Sequence, residues 1–142
     1  MKVSECMSNG VELCSPDDDI RSVARKMREI DAGAMPVGEN DRLVGMITDR
    51  DIAIRAVADG MGPETKVRQV MSSSPRWCYE DEDIEDVSDQ MAEFKVRRLP
   101  VLNRQKRLIG MISLGDVSLA DGTSSGRALH EISEPGGMHS QH

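Results

Sequence analysis

The 142-residue chain predicts an α/β (α+β) fold, two pseudo-symmetric β-α-β-β-α repeats forming one module. Three observations carry that prediction: a self-match at a fixed offset, one amphipathic helix per copy, and a pair of short apolar strands after each helix. Displaced by 64 residues, Val3, Met7, Ser8, Cys14, Asp17, Asp19, Ile20, Val23, Met27, Glu29, Pro36 and Val37 meet identical residues, 12 of 35 positions. Unrelated globular sequences share roughly one in fifteen. After one additional residue in the second copy, RLVGMITDRDI aligns with RLIGMISLGDV, six identities in 11. The period is too long for a solenoid unit, so the chain holds two copies of one supersecondary module. The repeats span 1–62 and 63–122, with a tail over 123–142.

Each copy opens on a short apolar segment, VELCS or PRWCY. An acidic cluster then opens a helix, where carboxylates suit the exposed amides and the positive end of the dipole. Ile20, Val23, Ala24, Met27 and Ile30 fall on one helical stripe, repeated by Ile84, Val87, Met91 and Phe94. AMPV and RLPVL follow as a first strand of a hairpin, RLVGMIT and RLIGMIS as the second. Their connections, GENDR and NRQK, are rich in turn formers. A second helix runs from about Asp49 to Asp59 and from about Leu114 to Ala120. Beyond it, SSGRALHEIS is expected to form a short helix stopped before Pro135–Gly136–Gly137, with a mobile end.

Composition narrows the class of function. Apolar residues at 38% and charged residues at 30% fit one globular domain with a proper core. Aromatic residues are confined to Trp77, Tyr79 and Phe94, so aliphatic side chains and the ten methionines build that core. A net charge of −7 disfavours indiscriminate binding to nucleic acid or anionic membranes. The charge is uneven: residues 80–93 hold eight acids and no base, residues 95–115 six bases and no acid. That segregation reads as solvated faces or as bases kept for a bound anion. No apolar run approaches the ~18 residues of a membrane span, and the first residues lack a signal-like apolar stretch. Three cysteines do not form a disulfide framework, and the expected compartment is the cytoplasm.

The strand ends hold the candidate chemistry. Thr48 and Asp51 stand three residues apart where a strand gives way to a helix, and Ser113 and Asp116 repeat them. Backbone amides at such a helix start attract phosphate, and the hydroxyl donates to the same group. The carboxylate accepts from both hydroxyls of a ribose, in charge-assisted bonds worth about 1.5–3 kcal/mol each when buried. Helix capping explains the same residues, and the two roles are compatible. Arg50, between the two acids, either reaches phosphate or pairs at the surface.

The doubled order of elements, the apolar-Pro-Val strands and the Gly-x-x-Thr/Ser-x-x-Asp strand ends resemble a stand-alone tandem cystathionine β-synthase (CBS) domain protein, a Bateman-type module, over about residues 1–120. The resemblance implies ligand sites in a cleft between repeats, and adenosine-containing ligands such as AMP, ADP, ATP or S-adenosylmethionine. It implies that the base sits on strand residues matching Val96, Leu99 and Pro100, or Ala34, Met35 and Pro36. Arg97 and Arg98 would then face the phosphates of a ligand held by Asp51. Copy one has Gly33–Ala34 at the positions of Arg97–Arg98, so the site around Asp116 is expected to be less cationic at that edge.

The resemblance further implies a homodimer and a sensor that modulates an effector protein, with no cofactor required and no catalysis. A ligand-free scaffold, and a thiol redox sensor through Cys14 and Cys78, are the alternatives. Cys14 and Cys78 otherwise read as small buried residues. His130, His139 and His142 show no metal-ligand spacing with the cysteines, and no metal is expected. Trp77 and Tyr79 flank Cys78 on one strand face and read as packing residues, with a stacked base or a subunit contact as alternatives.

Overall fold

The structure, a computed structural model, describes residues 1–120. The expected C-terminal helix and tail, with His130, His139 and His142, lie outside the described residues. The described chain forms two compact units. One is continuous, Glu12–Pro75; the other is split, Met1–Val11 together with residues 76–120.

In the continuous unit, Asp19 caps helix α1 (Ile20–Ile30), its carboxylate accepting the Ser22 N–H at 2.7 Å. Ile20, Val23 and Met27 form the buried stripe, whereas Ile30 is 42% exposed. Asp31, at φ 53°, ends the helix in the left-handed region. Strands β2 (Ala34–Glu39) and β3 (Arg42–Thr48) pair antiparallel from Ala34–Thr48 to Glu39–Arg42. Asn40 and Asp41, both at positive φ, make the two-residue turn whose twist suits a hairpin. Helix α2 (Asp49–Asp51) starts the second helix, which widens into a π-helical segment over Ile52–Val57. There the Ala58 N–H bonds the Ala53 carbonyl at 2.9 Å. A regular helix to Asp59 was the expectation; instead Ala56 enters the core and Arg55 approaches the carbonyls of Val70 and Met71 at 3.4 Å.

The split unit repeats this frame. Its elements are β4 (Cys78–Tyr79), α3 (Ile84–Phe94), β5 (Arg98–Leu102), β6 (Leu108–Ser113) and α4 (Leu114–Ala120). With β1 (Ser8–Asn9) they build a four-stranded sheet in the order β1-β6-β5-β4, parallel only between β4 and β5. Asp83 caps α3, and Lys95 at φ 56° ends it. The residue that copy two has in excess falls in the β5–β6 turn, where Asn103 Oδ1 accepts from the Gln105 and Arg107 N–H groups, both at 3.0 Å.

The first strands are shorter than their apolar sequence suggests. VELCS keeps a single parallel bridge, Cys14 to Val37, and PRWCY keeps Cys78–Tyr79. The reason is local. The Ser15 N–H bonds the Asp18 carboxylate at 2.9 Å, and the equivalent Tyr79 N–H bonds Glu82 at 2.6 Å. Both turns withdraw a ladder donor and steer the chain toward its helix.

The packed units are offset from the sequence repeats. Val3, at the head of copy one, lies in the core of the split unit with Val87, Met91, Leu99 and Ile112. Its counterpart Val67 lies in the core of the continuous unit with Val23, Met35 and Ile47. Each lead segment therefore completes the sheet and core formed by the rest of the other copy. Ser8 pairs with Met111 on β6, and Ser72 bridges Met46 on β3. Close approach explains the glycine in both strands. A Cβ on Gly110 would stand 2.6 Å from the Ser8 carbonyl oxygen, and one on Gly45 2.7 Å from that of Ser72.

Candidate functional site

Each unit brings a strand start and a strand end side by side. In the continuous unit the hairpin register sets Ala34 against Thr48, and the Asp49 N–H donates to the Gly33 carbonyl at 2.9 Å. Gly33, Ala34, Thr48 and Asp51 thus share one edge. In the split unit Arg98 stands against Ser113, and the Leu114 N–H donates to the Arg97 carbonyl at 2.9 Å. Arg97 and Arg98 are thereby placed beside Ser113 and Asp116 of their own unit.

The hydroxyl and carboxylate of each strand end close on one another. The Asp51 N–H donates to Thr48 Oγ1 at 3.0 Å, and the Thr48 N–H donates to Asp51 Oδ2 at 2.9 Å. The same reciprocal box joins Asp116 to Ser113 Oγ at 3.1 Å and Ser113 to Asp116 Oδ2 at 2.9 Å. Capping is therefore realised in both copies. It engages Oδ2 and leaves the other oxygen of each carboxylate outside the box. The Asp51 side chain is only 15% exposed, with Arg55 Nε at 3.7 Å from its Oδ1. A carboxylate that enclosed needs acceptor bonds to offset its lost hydration, and one long, half-exposed ion pair supplies little.

Arg55 escaped the sequence reading, although its spacing of four from Asp51 was a usable signal. The repeat places Ala120 at the corresponding position, and Gly115 at that of Arg50. The cations of the two edges are thus arranged oppositely. The continuous unit has them on the helix that follows the strand end, the split unit at the strand start. Arg97 Nε is buried and has no hydrogen-bond partner among the described residues.

The apolar strand positions divide. Met35 and Leu99 are enclosed in their cores at 0% and 1% exposed, so their contribution to the edge is backbone. The Pro36 carbonyl is occupied, accepting the Cys14 N–H at 3.1 Å; Pro100 is buried, and Val96 packs partly buried on the split core. Part of the basic stretch is committed elsewhere. Arg104 holds Asp81 through two bonds, 2.8 and 2.9 Å, and covers the Tyr79 ring at 3.9 Å. Lys106 lies 5.7 Å from the Trp77 ring, and Trp77 and Tyr79 meet edge to face at 4.8 Å. These rings serve packing and cation contacts.

Cys14 and Cys78 are fully enclosed, one in each core. Burial pushes the Cys14 thiol up to about 11, aided by Asp18, and the Cys78 thiol up to about 12, aided by Glu82. Both are protonated at neutral pH, a poor state for thiol exchange. Among the described residues no three His, Cys, Asp or Glu side chains gather as metal ligands, and no helix is long and apolar enough to cross a membrane.

A family model described as the CBS domain matches residues 3–57 and 67–121. The CBS domain-containing protein YhcV of Bacillus subtilis is 38% identical over 133 residues, covering 92% of this chain and 94% of its own. A crystal structure of Hypoxic Response Protein I with two coordinated zinc ions superposes with a TM-score of 0.77 at 32% identity, over 84% of this chain and 98% of that one. The structure of CBSX2 in complex with AMP shares the fold at a TM-score of 0.75 and 23% identity, over 86% of this chain and 96% of its own.

Proposed function

The chain belongs to the CBS-domain family, and from that premise we propose that it is a regulatory module that binds an adenosine-containing ligand and transmits its occupancy to an effector protein. The observation that carries this reading is the doubled strand end. In each unit a carboxylate uses one oxygen to accept the strand-end N–H, and the other stands outside that cap. That oxygen is suited to the paired hydroxyls of a ribose, and the helix start to phosphate. Thr48, Arg50 and Asp51 with Gly33–Pro36 form one candidate site, and Ser113 and Asp116 with Val96–Pro100 the other. Whether Arg97 and Arg98 serve the ligand of Asp116 or that of Asp51, their cations favour a phosphorylated one. CBSX2, of the same fold, is complexed with AMP.

The protein acts without catalysis, as a cytoplasmic homodimer whose ligand shifts the balance between two arrangements. A ligand can do so only through unequal affinity for them. The redox alternative draws no support from two buried, protonated thiols. A ligand-free scaffold is the second reading, favoured by one observation: both hydroxyl–carboxylate pairs already satisfy each other.

Calorimetric titration with AMP, ADP, ATP, S-adenosylmethionine and GTP as control decides between them, with Asp51→Asn and Asp116→Asn alongside. Asparagine keeps an acceptor for the cap and removes the charge. Micromolar binding of an adenine compound, about −8 kcal/mol, weakened tenfold or more by one substitution, is the expected result. No heat and no thermal shift with any compound would leave the scaffold.

A further inference from the structure

Arg55 stands at a junction that the repeat does not reproduce. Its Nε lies 3.7 Å from Asp51 Oδ1, the carboxylate oxygen outside the cap, and its Nη1 lies 3.4 Å from the carbonyl oxygens of both Val70 and Met71. One side chain thus joins the candidate ribose carboxylate to the lead segment of its own unit. That segment is held close over Gly45: the Ser72 N–H donates to the Met46 carbonyl at 2.8 Å, and the Met46 N–H returns a bond to Ser72 at 3.0 Å. The helix carrying Arg55 is widened at this point, with the Ala58 N–H reaching back across it to the Ala53 carbonyl. Such π-helical turns are rare and concentrate at functional sites. The split unit has the same frame without the link. Ser113 and Asp116 close the same box. The Cys6 and Met7 N–H groups bond the Val3 carbonyl at 3.0 and 2.9 Å, as those of Val70 and Met71 bond that of Val67. In place of Arg55, however, stands Ala120, at the end of a regular α-helix, and its methyl group offers no donor to Asp116 or to the lead.

We infer that Arg55 is a positioning residue that couples the Asp51 carboxylate to the lead segment at residues 70–72, so that of the two candidate sites only the one at Asp51 passes its occupancy to the backbone around it. The inference rests on the ligand reading above and names the residue that transmits it. In the structure the planar fork of the guanidinium is shared between a carboxylate and two carbonyls. Arg55 is half-exposed, and among the described residues Asp51 is the acid that holds its rotamer over those carbonyls. A ribose whose hydroxyls donate to Oδ1 satisfies that oxygen and weakens its attraction for the guanidinium. A ligand phosphate draws the guanidinium away from two neutral carbonyls, because a charged acceptor makes the stronger bond. Both effects run in one direction, toward release of the lead. A ligand on Asp116 meets the same box, with no side chain to carry its arrival to Cys6 and Met7.

Amide hydrogen exchange of the full chain, read residue by residue by NMR, tests the coupling without any ligand. Asp51→Asn keeps an acceptor for the cap and removes the charge that holds Arg55. Exchange at the Met71 and Ser72 amides is expected to quicken about threefold to tenfold, the scale of one net hydrogen bond, while Met7 and Ser8 stay unchanged. Arg55→Ala should give the same change, and Asp51→Asn should add nothing further in that background. Two unconnected losses of stability would instead add. Ala120→Arg should make Met7 and Ser8 respond to Asp116→Asn, which they otherwise ignore. AMP is the probe for transmission: at saturation it should quicken Met71 and Ser72 in the unmodified chain, leave them unchanged in Arg55→Ala, and leave Met7 and Ser8 unchanged in both. Additive substitutions, or lead amides indifferent to Asp51→Asn, would overturn the coupling whether or not AMP binds. AMP that binds and quickens both leads alike, or neither, would overturn the claim that one site transmits. No AMP binding beside a non-additive cycle would overturn the ligand reading, and transmission with it, while Arg55 would stand as a tie between Asp51 and the lead.

Discussion

The two units share a frame and differ in where they keep their charge. Both close the same hydroxyl–carboxylate box, end the first helix on a left-handed residue and admit the other copy's lead segment over a glycine. At the strand edges the continuous unit has its cations on the helix after Thr48 and the split unit at the start of β5, and of the paired first helices α1 is basic and α3 acidic. Backbone-determining positions have thus stayed alike while solvent-facing ones diverged. Equal scaffolds carrying unequal surfaces are suited to two sites of different ligand preference.

The exchange of lead segments is the strongest place to separate the units. Removing residues 1–11 takes Val3 and β1 from the split unit and nothing from the continuous one. Burial of Val3 alone is worth about 1.5–3 kcal/mol, and the ladder to β6 is lost with it. Hydrogen exchange should show protection collapsing over 76–120 and persisting over 12–75. Equal loss in both would show that the two units unfold as one.

Gly45→Ala and Gly110→Ala test the likeness of the frames. Each new methyl meets a carbonyl oxygen under 3 Å away on the lead segment, a clash with backbone that costs about 1–3 kcal/mol. Urea midpoints at unchanged m-value should fall by similar amounts. A difference above about 1 kcal/mol would mean that one lead is held more loosely.

Smaller effects follow from the caps. Thr48→Ala and Ser113→Ala each remove the acceptor of one box and should cost about 1 kcal/mol by thermal unfolding. The smallest contrast lies with the thiols. Cys14 and Cys78 are raised by burial to about 11 and about 12, against 9.0 when exposed. Their contribution is fully present below pH 9 and is lost as pH rises through the folded values, because the unfolded thiols ionise first. Stability should drop by on the order of 1 kcal/mol per thiol at pH 10. At pH 8, iodoacetamide should label Cys6 well before either. Ready labelling of Cys14 or Cys78 in the folded protein would reopen the redox reading.

Much of this was legible in the chain. The stripe Ile20, Val23, Met27 and its copy placed both first helices, since a period of 3.6 leaves few alternatives. GENDR placed a hairpin turn by its turn formers, and the structure puts Asn40 and Asp41, which tolerate positive φ, at its centre. Thr48 with Asp51, and Ser113 with Asp116, were recognised as paired strand-end groups. The π-helical segment over Ile52–Val57 was not, because IAIRAV has an ordinary helical composition. Nor were the short first strands, whose loss depends on Asp18 and Glu82 capturing a backbone N–H.

Local pattern, then, was sufficient for the repeat, its helices, its hairpins and the residue types at each strand end. Partnership was settled by packing. Val3 and Val67, Met7 and Met71, Ser8 and Ser72 are identical pairs, so side-chain chemistry offers no preference for one sheet over the other. Both leads meet the same kind of glycine, Gly45 or Gly110, so the choice of core belongs to the path of the whole chain. The same holds for Arg97 and Arg98, whose place beside Asp116 comes from the β5–β6 register. Such neighbours are joined by long-range contacts, and these have no period to read.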